Sequence, residues 1–178
     1  MIKLALSLTE PYRVISRYDS AIDLPPEPTD APMPGRGDDE SAEDYGKRLL
    51  VWSEPVREWL RPLKVARETG DYTPILKAGE TPTVFVVRQI SATEWVALEN
   101  AMGRLEGNRA KFHLVCRYAV LRMEGAPAAV NFMPEPDKAF PELGPILPTR
   151  WIDLFTGAEK ILMEIAELVV ERRTTAPN

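Results

Sequence analysis

The sequence predicts an α+β fold, mostly helical, with a small sheet packed by helices. Residues 83–88, TVFVVR, carry β-branched and aromatic side chains on both alternating faces. A strand apolar on both sides is covered on both sides, so this one belongs in the middle of its sheet. Several longer stretches repeat apolar residues at spacings of three and four, the signature of amphipathic helices. A chain of 178 residues that is 44% hydrophobic and 28% charged is long enough to bury its own core.

The first 24 residues suggest short strands. IKLALSL is one candidate, and in the next stretch Tyr12, Val14 and Ser16 alternate with Arg13, Ile15 and Arg17. Residues 25–40 form an arm with Pro25, Pro26, Pro28, Pro32 and Pro34 and an acidic end. Missing amide donors and fixed φ values exclude helix and sheet ladder there. Residues 41–70 read as a helical insert, with Tyr45, Leu49, Val51, Trp52, Val56, Trp59, Leu60 and Leu63 as its apolar set. Pro55 and Pro62 interrupt it, which predicts two or three short pieces. Arg57, Arg61, Lys64 and Arg67 form a basic stripe along it, read chiefly as a solvated face and otherwise as a docking surface for an acidic partner.

Residues 71–178 supply the strand and a helical body, and the whole chain is expected to be one domain. Turn chemistry at Gly70, Asp71 and Pro74, and again at Gly79, leads into the central strand. Ser91 and Glu94 have capping-box spacing, and Trp95, Leu98, Met102 and Leu105 mark the inward stripe of the helix they start. NRAKFHLVCRYAVLRMEG predicts a second helix, with Phe112, Val115, Ala119 and Met123 inward and Gly125 as its stop. Joined through Gly107 and Asn108, the two should form a helical hairpin. A second Pro-rich connector follows. The final stretch, from Thr149 to Arg173, reads as the longest regular segment, with Ile161, Leu162, Ile165, Leu168 and Val169 on one face and a possible restart at Gly157 set by Thr156 and Glu159.

The net charge of −5 argues against a protein that binds nucleic acid by neutralising phosphates. The single cysteine, Cys116, leaves no partner for an internal disulfide and no Cys-rich zinc site. The apolar run before Thr9 is too short for a secretion signal or a membrane span, which points to a cytosolic, reduced setting. His113 and Cys116 share a helix face, the one pairing that could place a thiol beside a base. With no second histidine and no nucleophile elbow or phosphate loop, the pair reads as structural, and neither a catalytic residue, a metal nor a cofactor is expected. Trp52, Trp59, Trp95 and Trp151 read first as core residues and second as partner anchors.

The order of pieces resembles the small tail-assembly chaperones and related accessory proteins of long-tailed bacteriophages. The resemblance lies in YDSAIDL, in ILKAGETPTVFVVRQISATEWVALENA and in the closing EIAELVVERR. Its motif falls on Gly79, Pro82, Thr83, Phe85, Val87, Arg88 and Ile90, and the insert at 41–70 departs from it. It implies a non-enzymatic role: binding the tape-measure protein and tail-tube subunits during morphogenesis, in the host-cell cytoplasm, with neither nucleic acid nor membrane as a partner and self-association left open. The alternative is a structural virion protein, a tail or head–tail connector component. The expected partner contacts are Phe85 and Arg88 on the motif, Trp95 on the capped helix and Trp59 on the insert.

Overall fold

The computed structural model describes residues 11–28, 32–126 and 132–175. The strand expected in IKLALSL therefore lies outside the described residues. The mostly helical α+β architecture is as the sequence predicts, and the chain divides into two compact units. One joins the residues up to Ser20 with those from Thr81 onward; the other is Ala21–Glu80.

The first unit is built on a three-stranded antiparallel sheet of β1 (Tyr12–Val14), β2 (Val84–Val87) and β3 (Val120–Glu124), in the order β1-β2-β3. The two-sided strand is central, as its composition requires. Val14 pairs with Phe85 and Phe85 with Met123, and the β2–β3 register shifts between Val86 and Val87. Just beyond β1, Asp19 accepts a hydrogen bond from the Thr83 amide at 2.9 Å, which brings the residues before Ala21 beside those after Glu80. Phe85, Val86 and Val87 are all buried.

Helix α2 (Ala92–Gly103) opens with the expected capping box: the Ser91 hydroxyl accepts from the Glu94 amide while the Glu94 carboxylate accepts from the Ser91 amide. Trp95, Leu98 and Ala101 are its buried face. Gly107, at φ 77°, turns the chain into α3 (Asn108–Ala119). The long neighbour of α3 is α4 (Glu159–Thr175), which buries Leu162, Ile165, Ala166 and Val169. A 3-10 helix, Thr149–Phe155, precedes α4 and adds Trp151 and Phe155 to the core. The Trp151 and Phe155 rings meet edge to face at 5.0 Å between centroids.

The segment expected to be one long second helix is instead a helix that passes directly into a strand. Phe112, Val115, Ala119 and Met123 keep helical spacing, but Met123 lies in β3 opposite Phe85. The last four carbonyls of a helix have no partner within it. Here the Cys116 carbonyl accepts from the Val120 amide, Arg117 from the Leu147 amide, Tyr118 from Arg88 Nε and Ala119 from the Arg88 amide. The Cys116 carbonyl is taken by the C-cap amide and the other three by tertiary partners, so the helix ends without a loop. Gly125, at φ 79°, stops β3 rather than a helix, and a Cβ there would lie 2.5 Å from the Pro82 carbonyl oxygen.

The second Pro-rich connector holds a two-stranded pair, β4 (Glu135–Pro136) and β5 (Pro145–Ile146), around the short 3-10 turn Pro141–Leu143. It also buries Phe140, Leu143, Ile146 and Leu147 in the core. The capping box expected at Thr156 is absent; its hydroxyl donates instead to the Asp153 carbonyl.

The second unit is dominated by α1 (Ala42–Thr69), 28 residues in one piece and the longest helix among the described residues. The expectation of two or three fragments fails because Pro55 and Pro62 are both exposed. Each removes one amide donor and frees the carbonyl four residues before it, and on an exposed face water can hydrate that carbonyl. The ends are well determined. Ser41 caps the first turn by accepting from the Asp44 amide, and Gly70, at φ 75°, closes the last by donating to the Ala66 carbonyl. Leu63 and Ala66 pack with Ile75 of the 3-10 turn Thr73–Ile75, and Ile22 bridges Leu76. In the arm, Arg48 holds the Glu40 carboxylate and the Gly35 carbonyl, fixing the turn before the helix.

Candidate functional site

The four residues expected to contact a partner have unlike surroundings. Phe85 is 1% exposed and Trp95 4%, so both leave the list of partner contacts and become core residues. The physical reason is the central position of β2 and the inward face of α2, which bury the largest apolar side chains first. Arg88 is partly buried and fully engaged. It donates to the Tyr118 carbonyl, stacks 3.9 Å over the Tyr118 ring and lies 3.8 Å from the Glu94 carboxylate. It is a clamp on the α3–β3 junction. Burial would raise the Glu94 carboxyl, but hydrogen bonds from Ser91 and Tyr118, with the Arg88 charge, hold it below the usual range. Trp59 is half-buried on α1 and donates its indole N–H to the Pro25 carbonyl at 2.7 Å, tying the arm to the helix.

His113 and Cys116 do not form a thiol–base pair. Cys116 is fully buried and donates its S–H to the Leu162 carbonyl of α4 at 3.1 Å. Burial pushes its thiol up, away from the thiolate that nucleophilic chemistry needs. His113 instead lines a cleft of about 410 Å³, together with Arg109, Arg117, Phe140, Asp153 and Phe155 among others. Burial and the Arg109 charge push the His113 imidazole below its ordinary value, against the pull of Glu159. The cations of this cleft are already matched: Arg109 pairs with Glu159, and Arg117 with Asp137. Arg117 also donates to the Leu147 carbonyl at 2.6 Å. These bonds tie α3 to the connector and to α4, a structural use of charge.

Another concave surface lies on α1, where Met33, Ala42, Gly46, Leu49, Leu50 and Trp52 surround an open depression of about 750 Å³. Leu50 is 58% exposed, Val51 74% and Met33 63%. Neighbouring charges are mutually paired, with Lys47 2.7 Å from Glu43. The surface is therefore apolar at its centre and balanced at its edge, a composition suited to binding another apolar surface. The sequence reading placed Leu49, Val51 and Trp52 in the helix's apolar set, left Leu50 out of it and did not single out this exposed face. The signal was available: Leu49, Leu50, Val51 and Trp52 are four consecutive apolar residues, and successive helical positions turn by about 100°, so they cannot all face one core.

Among the described residues, no group of three or more His, Cys, Asp or Glu side chains is placed to hold a metal ion. No described helix is long and apolar enough to cross a membrane. In comparisons with known protein families, curated proteins and solved structures, nothing matches the chain.

Proposed function

We propose that the protein is a non-enzymatic tail-assembly chaperone of a long-tailed bacteriophage, binding the tape-measure protein and tail-tube subunits in the host cytoplasm. The observation that carries the binding role is the exposed apolar surface of α1, with Leu50, Val51, Trp52 and Met33 open to solvent. Large exposed apolar patches mark sites of protein association, and an exposed apolar helix face suits a helical partner laid along it. The choice of partner rests on the strand motif from Gly79 to Ile90 and its resemblance to such chaperones. Because Phe85 and Val87 of that motif are buried, it supports the reading as a mark of shared architecture, not as a contact surface.

Purified chain is expected to retain tape-measure segments or tube subunits in a pull-down at micromolar concentration, and Leu50→Glu to reduce that capture. Retention of neither would sink the proposal. Mass spectrometry of purified particles separates the chaperone from the alternative of a structural virion protein: a stoichiometric band in the particle favours the structural role.

A further inference from the structure

We propose that the Gly46–Leu50 face of α1 is covered by a second copy of the chain, with the two α1 helices running antiparallel. The inference rests on α1 being a binding surface, as above, but not on the identity of any other partner. At about 100° per residue, Gly46, Leu50, Ser53, Arg57 and Lys64 fall close to one line along the helix. Glu43, Lys47 and Glu54 flank that line on the same side. The face is therefore apolar at its centre, with Glu43 beside Lys47 toward its start and Arg57, Arg61 and Lys64, then Glu68, toward its end.

Such an order is self-complementary in one direction only. A two-fold axis between paired Leu50 side chains sets Glu43 of one copy opposite Arg57 of the other, each seven residues from Leu50. The same axis sets Lys47 opposite Ser53, and Glu54 opposite Gly46 one residue further from the centre. A parallel pair would instead stack Glu43 on Glu43 and Arg57 on Arg57, which is repulsive. Within one copy these groups are engaged only in exposed neighbour pairs, Lys47 with Glu43 at 2.7 Å and Arg57 with Glu54 at 3.6 Å. Exposed pairs of that kind contribute little, so exchanging them for pairs between copies costs little.

Gly46 points the same way. Glycine in a helix interior is unfavourable relative to alanine, and its missing side chain permits close approach of another backbone. Outside its own helical turns, no atom of the described residues lies within 4 Å of where a Cβ would sit. A facing helix gives that glycine a use which the single chain does not.

Sedimentation velocity on the purified full chain at about 100 μM is expected to show a dimer. Glu43→Arg alone and Arg57→Glu alone should each weaken it by about tenfold, and the double reversal should restore it to within about threefold. Leu50→Glu should give a monomer. These positions are exposed, and circular dichroism should show the fold unchanged. A wild-type monomer overturns the proposal, as does a dimer indifferent to all of these changes or one that the double reversal fails to restore. The measurement uses the chain alone, so a monomer leaves tail-assembly binding untouched, and failure to bind tail proteins leaves the dimer standing.

Discussion

α4 and α1 are both long helices with apolar residues at spacings of three and four, yet they end in different surroundings. α4 buries Leu162, Ile165, Ala166 and Val169. α1 buries Leu63 and Ala66, while Leu50, Val51 and Val65 are each more than half exposed. Their patterns alone do not explain this. α4 has α3 beside it, whereas within its own unit α1 packs on the 3-10 turn Thr73–Ile75 near its C-terminal end. An amphipathic stripe states that a face can be buried; what buries it is decided elsewhere.

Substitutions should separate the two regions by size of effect. Phe85→Ala removes a ring from the closed core and should lower unfolding free energy by about 3–5 kcal/mol in urea titration. A loss under 1 kcal/mol, on the order of a surface change, would mean that this core is not tightly packed. On α1 the sign should reverse. Pro55→Ala restores an amide to an exposed helix interior and should stabilise α1 by up to about 3 kcal/mol, read as slower hydrogen exchange along that helix. No slowing would show that the proline is accommodated without loss. Ser91→Ala removes the α2 cap and should cost about 1 kcal/mol. Smallest of all, Val51→Ser should change stability by less than about 0.5 kcal/mol, because Val51 is 74% exposed. A cost near that of Phe85→Ala would abolish the distinction between the two helices.

Local chemistry was legible where a residue acts on its immediate neighbours. The Ser91–Glu94 capping box, the turn at Gly70 and the two-sided character of β2 all follow from residue type and spacing. What escaped was decided by distant residues. Val120–Glu124 continues a helical period, and only pairing with β2 and the bonds from Arg88 and Leu147 turn it into a strand. The integrity of α1 escaped because a proline costs a helix about 3 kcal/mol without having to break it, and the caps at Ser41 and Gly70 with burial of Leu63 and Ala66 work against that cost. For the site, Phe85 and Trp95 were picked for size and aromaticity, the same properties that send a side chain inward. Leu50 and Val51 went unnoticed because helical periodicity alone gives no account of surplus apolar residues.

The hydrogen bond from the Thr83 amide to Asp19 has a practical meaning for protein engineering. It sets the two ends of Ala21–Glu80 side by side, so that this stretch leaves the sheet and returns to the place it left. Closing a loop costs little more as the loop lengthens, since each doubling adds only about 0.6 kcal/mol. The entropy of joining the first two strands is therefore nearly indifferent to the length of what hangs between them. A graft of about four turn-forming residues in place of 21–80 should leave β1 paired with β2, making the unit that carries α1 a detachable cassette.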